Sequence, residues 1–508
     1  MLIADLLAGL PHRQTRGRDD QEVVSIAYDS RKTDPGAVFV AMPGLRTDGL
    51  RCAPEAIGRG ASAVVVGAGR SDSPELSGAP RVIEVENERV ALAVMARNLH
   101  GRVDETLTMV GVTGTNGKTT TCSLVAAILE RAGWKTGVLG TVGHRVGDAH
   151  LLADGQVGAG LTTPEAPEIH EYLARMASAG CRACVMEVSS IALDRKRVHG
   201  IQFAVAVFTN LTRDHLDYHK DMEAYFQAKR LLFEELDDRA RAVVNVDDPY
   251  GRRLVEEWGG ASCSRLTTYG TGSDAGIRLA SMDMTGRGTR LELEESRKTR
   301  YTVGTSLIGR FNAFNVAAAA ATARSLQVSW DHVIEGVASV ASVPGRLERV
   351  VLPGRAQSFE VFVDYAHTDD ALRVALETVR QVTRGRVIVV FGCGGDRDRS
   401  KRPLMGAQAE KLADLAFVTS DNPRGEAPGA IIDAILAGMG SAARDGSGRV
   451  RVDPDRRKAI EAAIASAEAG DAVVIAGKGH ETYQIIGDRV THFDDRDVAR
   501  ETLARVLS

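Results

Sequence analysis

The chain is 508 residues long, 44% hydrophobic and 26% charged, with a formal net charge of −4. That length predicts roughly two to four domains, and the missing basic surplus argues against a nucleic-acid binder. No uncharged run approaches the length of a membrane span, and residues 1–7 lack the basic and apolar regions of a secretory signal.

Six cysteines in so long a chain suit a reducing compartment. Cys181 and Cys184 form a Cys-x-x-Cys pair with no second pair at zinc spacing, so both are expected in the core. Apolar strand-like runs alternate with helical stretches along most of the chain, which predicts α/β architecture with largely parallel sheets. Residues 1–101 carry short apolar runs at 37–40 and 63–66, and His100-Gly101-Arg102 marks a boundary.

The block 102–342 opens with an apolar run and then Gly111-Val112-Thr113-Gly114-Thr115-Asn116-Gly117-Lys118-Thr119-Thr120. Leu124, Val125, Ile128 and Leu129 follow on one helical stripe, and Gly133 stands as a helix stop. Strand, glycine turn and helix in this order predict a phosphate loop. Helix N-terminal amides point at an anion there, Lys118 reaches the β/γ-phosphates and the Thr119 hydroxyl holds Mg²⁺.

Further strands are expected at 183–188, 204–209 and 241–246. The first ends in Glu187, where a carboxylate at a parallel strand's C-terminal end serves either as a cation ligand or as a satisfied edge residue. The second ends in Thr209-Asn210-Leu211-Thr212-Arg213-Asp214-His215, and His215 is a candidate metal ligand. On the next helix Lys229 falls on the apolar stripe of Tyr225, Phe226 and Phe233. Burial would drive it towards a neutral amine able to take up CO₂, although spacing alone favours a snorkelling lysine. Residues 265–303 read as a β-rich insertion. Residues 313–326 form an alanine-rich helix entered by Asn312 and Asn315, which reach a nucleotide or supply an N-cap.

The block 343–508 restarts the alternation, with strands at 361–364, 386–391, 414–419 and 472–476. Each ends in polar residues: Asp364-Tyr365-Ala366-His367, Gly392-Cys393-Gly394-Gly395-Asp396-Arg397, Ser420-Asp421-Asn422-Pro423-Arg424 and Gly477-Lys478-Gly479-His480-Glu481. Four such ends predict one crevice.

In order and spacing these segments resemble the Mur ligase family of peptidoglycan synthesis along essentially the whole chain. The resemblance implies three α/β domains: a UDP-sugar-binding domain at 1–101, an ATP-binding, P-loop-like domain at 102–342 and a Rossmann-like, amino-acid-binding domain at 343–508. It further implies a cytoplasmic, monomeric ligase using ATP and two Mg²⁺ ions. Its substrate would be UDP-N-acetylmuramoyl-L-alanyl-D-glutamate, activated as an acyl phosphate and joined to meso-diaminopimelate.

On this resemblance Lys118, Glu187, His215 and Lys229 are catalytic. Thr119, Glu187, His215 and a carbamylated Lys229 hold metal. Gly114, Thr115, Asn116, Gly117, Lys118, Thr119, Thr120, Asn312, Asn315, Arg346 and Asp364 surround ATP. Ser30, Thr162, Thr163, Ser190, Arg195 and Arg197 surround the UDP-sugar-peptide. Arg397, Asp421, Asn422, Pro423, Arg424, Gly477 and Glu481 form the amino-acid pocket, with Arg424 marking diaminopimelate rather than L-lysine. The competing readings are the same ligase using L-lysine, a folylpolyglutamate synthetase, a P-loop ATPase without ligase activity and a catalytically silent nucleotide-binding protein.

Overall fold

A computed structural model describes the chain except residues 17–21, 45–46, 148, 152–160, 259–262, 441–447 and 508. Two compact units divide it. The first holds Met1–Arg278, Glu294–Thr299 and Asn315–Gly336, and the second holds Leu279–Leu293, Arg300–Phe314 and Val337–Ser508.

Two sheets lie in the first unit. In the N-terminal one, Ile26–Ala27, Val38–Val40, Ala63–Gly67 and Val82–Val85 run parallel, with His12–Arg16 antiparallel at the edge. The larger sheet sets six parallel strands side by side: Leu266–Gly270, Arg241–Asn245, Phe203–Phe208, Thr108–Thr113, Ala183–Glu187 and Thr136–Gly140. Strands expected at 183–188, 204–209 and 241–246 thus sit within a residue of their places. The expected β-rich insertion is built of strands, yet it does not stand apart. Its first strand is part of the parallel sheet, and Ile277–Thr285 joins that strand through Tyr269↔Ile277 and Gly270↔Arg278.

In the second unit Glu360–Asp364, Ala472–Ala476, Val387–Phe391, Leu415–Val418 and Val450–Val452 are parallel neighbours. Both faces are covered, and the side chains divide accordingly. Phe362, Val387, Val389 and Val474 join one core, while Val361, Val363, Ile388, Val390 and Ile475 join the other. A strand buried on two faces needs a continuous apolar run, which is the pattern the sequence carries. The helix Arg310–Ser325 is alanine-rich for a related reason: Ala313, Ala317, Ala319 and Ala321 all lack solvent exposure, so no face needs a long polar side chain. All six cysteines are free, and Cys181 and Cys184 are core residues as expected.

One ion pair lies wholly inside the second unit. Arg456 Nη2 is 2.6 Å from Asp495 Oδ2 and Nε is 2.8 Å from Oδ1, and both side chains have no solvent exposure. The guanidinium also donates to the carbonyls of Ala476 and Ser420, at 3.0 and 3.4 Å. These carbonyls end two strands that are not neighbours, since Val387–Phe391 lies between them. Removing one partner strands a buried charge, so Asp495→Ala is expected to cost about 3–5 kcal/mol in urea unfolding. The pair replacement Arg456→Met with Asp495→Leu is expected to cost clearly less than that single change.

Candidate active site

Every strand of the large parallel sheet ends on the same edge, and the loop Gly114–Gly117 leaves the central strand there. Gly117 has φ +86°, and a Cβ on it would sit 2.3 Å from Asn315 Oδ1. Only glycine leaves this backbone both left-handed and open. The helix Lys118–Arg131 starts directly after it, with Thr119 and Thr120 buried in its first turn.

Two residues of the neighbouring strand's exit clamp the loop. Thr209 Oγ1 donates to Asn116 O at 2.7 Å, and Asn116 N donates to Asn210 Oδ1 at 2.9 Å. Thr115 N donates to Asn210 O at 2.9 Å as well. The sequence placed Thr209 and Asn210 at a polar strand end but gave them no task. Their side chains hold the loop in an anion-ready shape.

Lys118 Nζ donates to Gly114 O and Thr115 O, both at 2.9 Å. Lys229 Nζ donates to the same Gly114 O, also at 2.9 Å. Lys229 is 1% exposed, so it does not snorkel, and its Nζ lies 4.5 Å from the centre of the Tyr225 ring. Burial first, and Lys118 second, push its ammonium well below the usual lysine range, while Asp214 opposes the shift weakly. Two ammonium groups donating to one carbonyl repel each other. Sharing one carbonyl is therefore easiest when Lys229 is the neutral amine. Tyr225 completes this wall, its hydroxyl 3.2 Å from Thr115 Oγ1.

Glu187 is 2% exposed and, among the described residues, accepts from neutral donors alone, Thr141 N at 2.8 Å and Thr141 Oγ1 at 3.1 Å. His215 stands on a left-handed residue, φ +51°, with its side chain 47% exposed, and partial desolvation lowers its ring below the ordinary histidine value against the pull of Asp214. Among the described residues no three His, Cys, Asp and Glu side chains converge on a point. The residues expected from the sequence to hold metal, Thr119, Glu187, His215 and Lys229, offer instead a hydroxyl, a carboxylate, an imidazole and an amine. The oxygen donors suit a hard cation such as Mg²⁺, and an amine converted to a carbamate would add another.

Beside Glu187, Thr163 Oγ1 donates to Glu187 O at 2.8 Å, and the Thr162 and Thr141 hydroxyl oxygens lie 3.2 Å apart. Ser190 Oγ is 2.9 Å from His219 Nε2, and Arg195 Nε donates to the Tyr218 hydroxyl at 3.2 Å. Arg197 is buried, paired with Glu165 at 2.7 Å and donating to Thr163 O at 2.9 Å. Ser30 Oγ donates to Glu55 Oε2 at 2.5 Å in the N-terminal sheet's own loop layer.

Asn312 and Asn315 are the third and sixth residues of the helix Arg310–Ser325, so neither is its N-cap. Asn312 donates to Ile308 O at 2.8 Å, and Asn315 Oδ1 lies 3.5 Å from Thr121 Oγ1.

In the second unit the four polar strand exits fall on one edge, as the sequence predicted. Arg346 lies over the Tyr365 ring, 5.2 Å from its centre. Asp364 accepts from Leu347 N at 2.6 Å and Ala366 N at 2.8 Å. Burial nevertheless pushes its carboxyl from the ordinary 3.8 up to about 6, against the lowering by Arg346 and the two amides. The folded state therefore binds this proton more tightly than the unfolded chain, and stability falls as pH rises from 3.8 through 6. Asp364→Asn is expected to remove that loss, up to about 3 kcal/mol and less where water reaches the partly exposed carboxylate. Urea unfolding of both proteins at each end of the window checks it.

Asp421 and Asn422 are buried, and Gln484 Nε2 donates to Asp421 O at 2.8 Å. Gly395 packs on the Pro423 carbonyl, while Arg397 is exposed on the same loop. Arg424 has φ +52° and donates from Nη1 to Gly395 O at 2.9 Å.

Family models match three successive stretches: "Mur ligase family, catalytic domain" at residues 22–100, "Mur ligase middle domain" at 112–323 and "Mur ligase, glutamate ligase domain" at 345–479. The chain belongs to the Mur ligase family. Its fold is that family's three-domain α/β architecture, with mostly parallel sheets. A curated Mur ligase, UDP-N-acetylmuramoyl-L-alanyl-D-glutamate–2,6-diaminopimelate ligase of Solibacter usitatus, is 46% identical over 95% of this chain and 94% of its own length. The ligase of that name from Gloeobacter violaceus is 44% identical over 97% and 96%. A solved structure of a ligase of the same name superposes with a TM-score of 0.68 at 30% identity, covering 99% of both chains. Folylpolyglutamate synthase of Mycobacterium tuberculosis reaches a TM-score of 0.61 at 22% identity over 77% of this chain and 92% of its own, a likeness of fold alone.

Proposed function

We propose that this Mur ligase joins meso-diaminopimelate to the D-glutamate end of UDP-N-acetylmuramoyl-L-alanyl-D-glutamate, with ATP consumed to ADP and phosphate. What carries the reading is the full-length likeness to ligases so named, at 46% and 44% identity. The domains would divide at 101/102 and 342/343, with the UDP moiety on the first, ATP on the second and the amino acid on the third. The protein would act as a cytoplasmic monomer. Among the described residues no helix is long and apolar enough to cross a membrane.

The free carboxylate of the substrate attacks the γ-phosphorus of ATP, forming an acyl phosphate and releasing ADP. Two anions must meet, so charge neutralisation dominates the barrier. Lys118 and the amides of Gly117 to Thr119 would take the phosphates, and Mg²⁺ held by Thr119, Glu187, His215 and carbamylated Lys229 would supply further neutralisation. The amine of diaminopimelate then attacks the acyl carbon, and phosphate leaves from the tetrahedral intermediate. Asp421 and Glu481 would hold the distal ammonium and Arg424 the distal carboxylate, a contact L-lysine cannot make.

The test is phosphate release with ATP, Mg²⁺ and UDP-N-acetylmuramoyl-L-alanyl-D-glutamate, comparing meso-diaminopimelate with L-lysine. Release with diaminopimelate alone is expected. Release with lysine overturns the pocket assignment, and release without any amino acid overturns the ligase in favour of an ATPase.

A further inference from the structure

Lys478 belongs to a segment the sequence singled out, yet no task fell to it. Its side chain has no solvent exposure, so it touches no substrate directly. Its ammonium lies 3.2 Å from Asn422 Oδ1, 3.2 Å from Glu481 Oε2 and 5.5 Å from the centre of the Tyr483 ring. An ammonium only donates, so the Asn422 amide must turn its oxygen to Lys478. That oxygen also accepts from Ile485 N at 3.0 Å, and the amide nitrogen is left to donate to Glu481 Oε2 at 2.8 Å. Lys478 thereby sets the orientation of both side chains. Glu481 Oε2 takes two bonds, while Oε1 receives none from the described residues.

The backbone is shaped to deliver Lys478 inward. Gly477, with φ +116°, precedes it, and a Cβ there would stand 2.5 Å from Asp421 Oδ2. Glu481 is thus paired with a buried cation, while Asp421 lies beside Gly477, so the two carboxylates together keep a negative charge for an incoming ammonium.

We propose that Lys478 is the positioning residue of the amino-acid pocket, orienting Asn422 and Glu481 so that Glu481 Oε1 and Asp421 receive the substrate's ammonium. This rests on the ligase reading above. It predicts a defect confined to one substrate. In Lys478→Met, KM for meso-diaminopimelate rises about 10- to 100-fold, because a buried network has lost the donor of two of its bonds. KM for ATP and for the UDP-linked substrate, and kcat, change by less than about 3-fold. In the double variant with Glu481→Gln the KM effects are non-additive, since Lys478 acts through Glu481.

Steady-state kinetics on the full-length protein reads all three constants. An unchanged KM for diaminopimelate, a uniform loss across all substrates, or additive effects in the cycle would each overturn the assignment. Should Lys478→Met not fold, as judged by thermal melting, Lys478→Gln is measured against the same criteria. Failure of the ligase reading looks different: wild-type protein would then show no diaminopimelate-dependent phosphate release at all.

Discussion

Lys229→Ala is expected to lower ligase turnover about 100- to 1,000-fold, the cost of removing one group that stabilises developing charge. The reasoning starts from the shared carbonyl. Gly114 O accepts from Lys118 and Lys229 alike, each at 2.9 Å. The Lys229 amine is enclosed by Tyr225 and the loop, and its proton is held loosely by burial and by Lys118. A neutral amine adds to CO₂ with loss of one proton and becomes a carbamate, replacing a potential cation with an anion. That exchange would relieve the repulsion from Lys118 and would supply an oxygen ligand to a cation. Two observations separate this from a packing role. Wild-type protein equilibrated with ¹³C-bicarbonate should show one carbamate carbon signal that Lys229→Ala lacks, and added bicarbonate should not restore the variant. Wild-type rates in Lys229→Ala would remove the carbamate from the mechanism.

Much of the site was legible because strand exits announce themselves in an α/β chain. Glu187, Asp364 and Asp421 each follow an apolar run, and a polar residue at that point can only face the C-terminal edge of the sheet. Lys229 was legible in place but not in burial. An i+3, i+4 position on an apolar stripe serves a snorkelling lysine as well as an enclosed one, and only the packing of Tyr225 and Gly114 decides between them. Lys478 escaped notice because a lysine between two glycines reads as a solvated turn. Arg456 and Asp495 escaped for another reason: each is the first residue of an ordinary amphipathic helix, and nothing local reports a partner 39 residues away. For the asparagines the sequence left nucleotide contact and N-capping open, and the helix start at Arg310 removes the cap, since Asn312 and Asn315 lie inside the first two turns.

Arg424→Ala is expected to erase amino-acid selectivity. Its backbone is pinned, with Arg424 N donating to Ile485 O at 3.1 Å and Gly487 N donating to Arg424 O at 2.8 Å. Its guanidinium gives one bond to Gly395 O and makes no other among the described residues, leaving a planar fork for a bidentate carboxylate. Diaminopimelate offers that carboxylate and L-lysine does not. Losing a charge-assisted, two-bond contact at a preorganised site costs about 2–4 kcal/mol, so kcat/KM for diaminopimelate should fall about 30- to 1,000-fold. The value for L-lysine should move by less than about 3-fold, because no bond to it is lost. Arg424→Lys restores the charge without the fork and is expected to recover only part of the loss. Equal losses for both amino acids in Arg424→Ala would mean that Arg424 props the Gly395 loop and leaves the choice of amino acid to other residues.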